Sequence, residues 1–405
     1  MSSKSMPSIA DVVIVGGGHA GGGLAAGLTA LRLSIAKPDL KVVVLVDGPA
    51  LAQASVEGTW LFHSSDLGEE SLLWIKPLIT KSWDAHEIVF PHIKRTFSSG
   101  FHALRAEDFD RELKERLPDT FFYEQKVVEL NSTTVRLANG KSIEARCVFD
   151  ARKPDSQAEL VRNGFRKSIS YLLELEAAHD LGTPLSVDAT CPQMDGYRFF
   201  RVLPWDERHV MIEEAYHSNS PELNTERLSR SIHSYAERKG WKPKSTERIE
   251  NLVRVLPMTE ASLSAGTPET AIPIGPAGGY YNAATGEELP DAVRFAEFIA
   301  GLPDLSFAPA REALLKHRRS WASKQRFYRV FNRFVFFASE TSLRYQAYQT
   351  IYSFSEDAVA RFFGGKITWS DRLRIVANRP QAVTLKRALR SMRERFIHER
   401  LSTAP

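Results

Sequence analysis

The chain has 405 residues, 43% hydrophobic and 25% charged, which predicts a soluble globular protein with two or three sub-structures around a well-buried centre. No run approaches the roughly 18 apolar residues that a spanning helix needs, the net charge of +4 is too small to imply a nucleic-acid partner, and the polar residues 1–10 predict no secretory signal. Two cysteines, Cys147 and Cys191, offer neither a disulfide framework nor a metal cluster, so a reducing cytoplasm is the expected compartment.

In chain order, Val12 to Val15 read as a buried parallel strand running into Gly16-Gly-Gly18-His-Ala-Gly21. The spacing of Gly16, Gly18 and Gly21 lets a strand turn tightly into a helix while its backbone approaches a dinucleotide pyrophosphate. The phosphates then rest on the helix N-terminus, where unpaired N–H groups favour an anion. Behind the glycines, Leu24, Ala25, Leu28 and Leu31 recur at helical spacing. A second strand over 41–46 ends at Asp47, placed to bind a ribose hydroxyl. The glycine spacing alone is a weak signal; strand, helix and acid together predict a dinucleotide site.

A polar helix is expected from Ala106, with Phe109 and Leu113 on one side. Strands over 126–131 and 134–137 follow, then an Asn139-Gly140 turn and an apolar strand, Cys147-Val148-Phe149, running into Asp150-Ala151-Arg152. This order suits flavin enzymes whose nucleotide domain is interrupted by insertions, so the chain should return to the nucleotide later. The return candidate is Ile274-Gly275-Pro-Ala-Gly278-Gly279, then Thr285-Gly286 and a helix from Leu289. Between lies a β-rich stretch, roughly 160–260, with alternating branched and aromatic residues that argue for a sheet over a ligand. Beyond Pro303 the pattern turns helical and aromatic.

Several segments are similar to the bacterial lycopene β-cyclase family: Thr59-Trp60-Leu-Phe62-His63 with Asp66-Leu67; Asp188-Ala-Thr190; Gly196-Tyr197-Arg198-Phe199; Ile212-Glu213-Glu214; and the late Phe327-Tyr-Arg-Val-Phe-Asn332-Arg333, Ala360-Arg361-Phe362-Phe-Gly-Gly365-Lys366 and Asp371-Arg372. The likeness spans nearly the whole chain. It implies an α/β fold, with a Rossmann-type FAD-binding domain (1–155, returning over 266–300), a β-rich substrate domain over 156–265, and a C-terminal helical region over 301–405 with possible membrane contact. It implies closure of the linear ψ-ends of lycopene, or related acyclic carotenoids, into β-rings (γ-carotene, β-carotene), with reduced FAD and no net redox change, and with NAD(P)H as the reductant. Cofactor contacts are then expected at Gly16, Gly18, Gly21, Asp47, Gly275, Thr285 and Gly286. Two departures stand out: the family's Thr-Gly-Tyr-Ser is here Thr285-Gly286-Glu287-Glu288, and its Asp-Gly-Arg-Gly is Asp150-Ala151-Arg152-Lys153.

Ring closure needs a proton delivered to an alkene, a carbocation held until a neighbouring double bond attacks, and a proton removed. A carboxyl group in a greasy pocket, its pKa raised, meets the first and last needs. Adjacent strand residues face opposite ways, and the resemblance favours Glu213 over Glu214 as the inward acid, in an acid-base or cation-stabilising role. The competing reading is a surface pair of acids. Trp60, Phe62, Tyr197 and Phe199 are the candidate substrate contacts, through their negative ring faces, with ordinary core packing as the alternative.

Lycopene resides in lipid, so peripheral attachment to the inner membrane is expected. Trp321, Phe327, Tyr328, Phe331, Phe334, Phe336 and Phe337, interleaved with Lys324, Arg326, Arg329 and Arg333, either seat a face at the interface or fill a bundle core. A basic helix carrying Lys386, Arg387, Arg390, Arg393, Arg395 and Arg400 is either solvated or bound to anionic lipid. His63, His86, His92 and His102 lack metal-ligand spacing, so no metal is expected. Two rival readings remain: a flavin hydroxylase or isoprenoid reductase, and a non-catalytic carotenoid-binding flavoprotein.

Overall fold

In the strand Ile9–Val15, Val12 to Val15 are buried on both faces, as a central parallel strand requires. The computed structural model describes residues 5–16, 23–48, 58–152, 163–260 and 269–380, with 383, 386 and 391. Val42–Leu45 pairs in parallel on one side of the first strand and Ser142–Asp150 on the other. Phe121–Phe122 extends the sheet beyond Val42–Leu45, and Thr134–Leu137 and Val127–Leu130 extend it antiparallel beyond Ser142–Asp150. After the whole β-rich insertion the chain comes back: Ile272–Pro273 pairs in parallel with the end of Ser142–Asp150, Phe149 opposite Ile272. Helix Leu289–Ala300 then packs on helix Gly23–Ala36. Helix Ala106–Arg116 closes on the same helix through Phe109 and Leu113, so tightly that a Cβ at Gly27 would lie 2.6 Å from Leu113.

The second sheet also has seven strands, in the order Pro243–Leu256, Gly164–Leu175, His209–Ser218, Tyr197–Pro204, Leu185–Asp188, His86–Phe90, Ile93–Phe97. Helix Thr225–Arg238 covers one face with Leu228, Ile232, Tyr235 and Ala236. The two strands at one edge of this sheet, His86–Phe90 and Ile93–Phe97, come from before residue 155, a stretch expected to belong wholly to the nucleotide domain. The reason is local: His86–Phe90 and Ile93–Phe97 form an antiparallel hairpin with Ile88, Phe90 and Phe97 buried, and this apolar side fits the edge at Leu185–Asp188. A small antiparallel sheet of Thr59–His63, Phe101–Arg105 and Lys81–Trp83 bridges the two large ones.

Helix Phe307–Arg333 runs into a π-helical turn, Phe334–Ala338, followed by helices Tyr345–Tyr352, Glu356–Phe363 and Trp369–Ala377. Tyr328, Phe331 and Phe336 are buried against Tyr197, Phe199, Tyr348 and Phe362, so these aromatics form a core and not an interfacial face. Arg329 and Arg333 are buried with them and donate to the carbonyls of Ala322 and Met258. Trp321 donates its indole N–H to Gly279 O at 3.0 Å, tying the long helix to the return segment. Among the described residues no helix is long and apolar enough to cross a membrane. The basic helix beyond Leu385 falls outside the described residues, apart from positions 386 and 391.

Gly196 begins the strand that carries the aromatic wall described below. Its φ of +133° suits glycine, and a Cβ there would strike the carbonyl oxygen of His217 on the paired strand. Gly196→Ala should therefore destabilise the fold by roughly 3 kcal/mol or more, seen as a fall in the urea midpoint; an unchanged midpoint would contradict this register.

Candidate functional site

Three of the predicted nucleotide contacts, Gly16, Asp47 and Gly275, lie at the carboxyl ends of the parallel strands. Gly16 follows Val15 with φ +115° and donates to Leu45 O at 2.9 Å, and a Cβ on it would come within 2.9 Å of the Ala151–Arg152 peptide. Asp47 stands exposed at the end of the neighbouring strand. Arg152, in an ion pair with Asp150 at 2.8 Å, is held charged by that pair and, further off, by Asp47. Gly275 has φ +61°, and a Cβ there would lie 2.6 Å from that of Ala25, so the return loop rests on the first turns of helix Gly23–Ala36. Positive-φ glycines, a helix N-terminus and an acid at the strand ends are the backbone features a dinucleotide uses. Gly18 and Gly21 lie outside the described residues.

The return segment then becomes one wall of a chamber. Thr285, Glu287 and Asp291 face the sheet residues Tyr197, Phe199 and Arg201, with Phe62, His63 and Asp66 on a third side and Tyr348, Tyr352 and Gly364 on a fourth. The space is about 860 Å³, part of it open to solvent. Tyr197, Phe199 and Arg201 alternate along one strand and so share a face. Tyr197 stacks on Tyr348 with centroids 4.3 Å apart, and the Tyr348 hydroxyl meets His217 Nδ1 at 2.8 Å. Of the four predicted aromatic contacts, Phe62, Tyr197 and Phe199 line the chamber. Trp60 lines a smaller adjoining recess instead and donates to Glu288 at 3.2 Å. Thr285 lines the chamber; Gly286, with φ +71°, packs against Arg254.

A chain of charges separates chamber from recess. Arg201 donates to Glu213 at 2.6 Å and Arg166 to the other Glu213 oxygen at 3.4 Å. Arg166 also pairs with Glu287, whose second oxygen takes Arg254 at 2.6 Å. Arg166, Arg201 and Glu287 border both spaces, whereas Glu213 borders only the recess. The expectation of Glu213 as a raised-pKa acid in a greasy pocket is thereby overturned: burial pushes its pKa up, but Arg201 and Arg166 outweigh burial and hold it below the usual range. Glu287 is driven down to about 2, burial again being outweighed, here by Arg166 and Arg254. Alternation holds for the neighbouring acid: Glu214 is fully buried on the other face, bound to Arg198, so the pair is not a surface pair.

The carboxyl groups that burial does push up are elsewhere. Asp66 rises to about 6 and Asp291 to about 7, both at the chamber; Glu250 rises to about 7 in the recess, where it accepts from the Thr59 hydroxyl at 2.9 Å. Glu288 is raised by burial as well. Asp291 pairs with Arg294, which also donates to the carbonyls of Asp66 and Gly364 at 2.8 Å each. The ring of His63 is kept neutral, chiefly by burial, with a pKa near 3. Sequence reasoning missed Arg166, Arg201, Asp66 and Asp291 as site residues. Arg201 was discoverable, two places beyond Phe199 on the same strand face; Arg166 and Asp291 carried no local signal.

The sequence model of the family described as "Lycopene cyclase protein" matches residues 11–389. A lycopene beta-cyclase of Pantoea ananas is 32% identical over 378 residues, covering 93% of this chain and 96% of that one. Another, from Paracoccus sp., is 31% identical over 381 residues, with 93% and 96% covered. Among solved structures, a geranylgeranyl bacteriochlorophyll reductase-like protein of Thermoplasma acidophilum is similar with a TM-score of 0.55 at 14% identity, over 93% of this chain and 98% of that one. A flavin-dependent halogenase from Brevundimonas sp. BAL3 gives 0.54 at 11%, over 98% and 97%. These two share the fold.

Because the Glu287 pKa is depressed when folded, its stabilisation is present above the ordinary value near 4.5 and is lost as pH falls toward about 2. Glu287→Gln should remove on the order of 2–3 kcal/mol at pH 7 and flatten the fall in stability between pH 5 and 3, measured by urea titration at each pH. A variant whose pH profile parallels the parent's would show that the ion pairs carry no such weight.

Proposed function

The chain belongs to the lycopene cyclase family, and from that premise we propose that it closes the ψ-end groups of lycopene into β-rings, giving γ-carotene and β-carotene without net redox change. The observation that carries this reading is the aromatic chamber abutting the return segment of the nucleotide sheet, with acids at its wall. The features at Gly16, Asp47 and Gly275 fit FAD: the start of helix Gly23–Ala36 would hold its phosphates and Asp47 a ribose hydroxyl. Reduced FAD, when bound, supplies a fixed negative charge that offsets the substrate cation; NAD(P)H is the proposed source of its electrons.

The chain's own residues do the rest. Phe62, Tyr197, Phe199, Tyr348 and Tyr352 line the chamber, where electron-rich rings favour a cation, and a substrate filling the space would displace the water that quenches it to an alcohol. Arg166 and Arg201 would repel that cation, and Glu213, paired with both, offsets them together with Glu287, which pairs with Arg166. The part of Glu213 in the reaction is to compensate and position these arginines.

Since lycopene resides in lipid, the protein works as a peripheral protein on the cytoplasmic face of the inner membrane. Supporting this, helix Trp369–Ala377 exposes Trp369, Leu373 and Val376 at 71%, 51% and 45%, one face at helical spacing, shortly after Phe363 and Gly364 at the chamber.

Expression in a lycopene-accumulating bacterium should turn red cells orange, with β-rings identified in the extracted pigment; unconverted lycopene beside a folded, yellow protein would refute the reading. Glu213→Gln should lower ring formation at least a hundredfold with flavin content intact. A paired Trp369→Ser, Leu373→Ser variant should lose most of its binding to phosphatidylglycerol vesicles in flotation; undiminished flotation would remove this helix from the membrane contact.

A further inference from the structure

Resting on the cyclase reading, we propose that Asp66 is the proton donor of the ring closure. Every other acid near the chamber is engaged. Both oxygens of Glu213 are taken by Arg201 and Arg166, and both of Glu287 by Arg166 and Arg254. Asp291 pairs with Arg294. Glu250 and Glu288 are bound to Thr59 and Trp60, away from the chamber wall. Glu213 and Glu287, each fixed between guanidinium groups, have no proton to give; Asp291 and Glu250 are raised by burial as well, but each has an oxygen tied to a side-chain donor, Arg294 or the Thr59 hydroxyl.

Asp66 differs in each respect. It lines the chamber, is 4% exposed, and its Oδ2 accepts the His63 backbone N–H at 2.8 Å, while its Oδ1 is buried with no hydrogen-bond partner. A buried, unbonded carboxyl oxygen is the natural seat of a proton. Gly364, which also lines the chamber, lies beside Oδ1: a Cβ there would be 3.2 Å from it. Arg294 passes close but spends its donors on Asp291 and on the main-chain carbonyls of Asp66 and Gly364, so it braces the Asp66 backbone without pairing with the carboxyl group. The raised pKa described above agrees with a neutral carboxyl group at working pH.

The step balances on this one residue. The Asp66 O–H bond breaks as its proton adds to the less substituted carbon of the terminal alkene, leaving a tertiary cation. The neighbouring double bond's electron pair forms the ring C–C bond and moves the charge inward. Loss of a proton from the ring-junction carbon to the Asp66 carboxylate forms the ring double bond and restores the carboxyl group. No electrons and no net proton are exchanged.

The test uses purified full-length protein loaded with FAD, reduced anaerobically, with lycopene in phospholipid vesicles. Asp66→Asn should lower cyclisation by about a hundredfold or more, with flavin content and thermal midpoint close to the parent's, while Asp66→Glu retains several per cent of activity or more. In Asp66→Ser, added formate should restore cyclisation at least tenfold, a rescue that a merely structural residue would not show. An Asp66→Asn variant within threefold of an active parent, or a folded, flavin-loaded Asp66→Ser variant that formate does not rescue, overturns the assignment. A parent that leaves lycopene unconverted overturns the cyclase reading, and the role of Asp66 with it.

Discussion

The salt-bridge chain Arg201–Glu213–Arg166–Glu287–Arg254 holds the two halves of the molecule in working register. Its members come from strands Tyr197–Pro204, His209–Ser218, Gly164–Leu175 and Pro243–Leu256 of one sheet, and from the loop that returns the chain to the other. Buried ions are expensive unless each is matched, and here each carboxylate lies between two guanidinium groups. A loop that slipped would strand Arg166 with half its compensation, so the charges specify where the return segment must sit. That placement brings Thr285 and Asp291 to the chamber while Gly275 remains at the nucleotide helix.

The same chain settles the sign of the field that a reacting hydrocarbon would meet. Two arginines border the chamber, an arrangement hostile to a carbocation if either stood alone. With Glu213 behind them and Glu287 beside them, they present near-neutral pairs, and the aromatic faces become the dominant local attraction. Neutral His63 and the neutral phenol of Tyr197 fit this pattern, since burial suppresses the charged form of both. The chamber thus holds its charge in matched groups, at the partition and in the Asp291–Arg294 pair, with aromatic and neutral side chains between them.

Much of this was legible in the sequence, and the limits have a physical cause. The first strand and the helix from Gly23, helix Ala106–Arg116 and the late return at Ile272–Pro273 rest on local patterns and are found, and Asp47 stands just beyond its strand. Alternation alone put Glu213 and Glu214 on opposite faces. What local pattern does not carry is the partner across space. Nothing around Arg166 announces Glu287, 121 positions away, so Glu213 was read as a solitary greasy-pocket acid. The hairpin over 86–97 read as part of the domain in which it begins, because only its apolar face, matched to the Leu185–Asp188 edge, decides which sheet it joins. The aromatic run from Trp321 to Phe337 is ambiguous in principle: an interfacial face and a bundle core share one composition, and packing of Phe327 to Phe337 in the cluster of Tyr197 and Tyr348, and of Trp321 in that of the nucleotide sheet, makes it core.

The departure at Glu287-Glu288 from the Tyr-Ser of the resembling pattern follows from the same constraint. Two acids in a loop against a buried sheet are untenable by themselves; they persist because Arg166 and Arg254 reach Glu287, and because Trp60 and Arg254 reach Glu288. In place of an aromatic and a hydroxyl, the chain therefore has an ion-paired partition, one side of which is the aromatic chamber and the other a polar recess with Glu213 and Glu250. Such a wall lets acids stand beside the aromatic chamber because the charges satisfy one another across it.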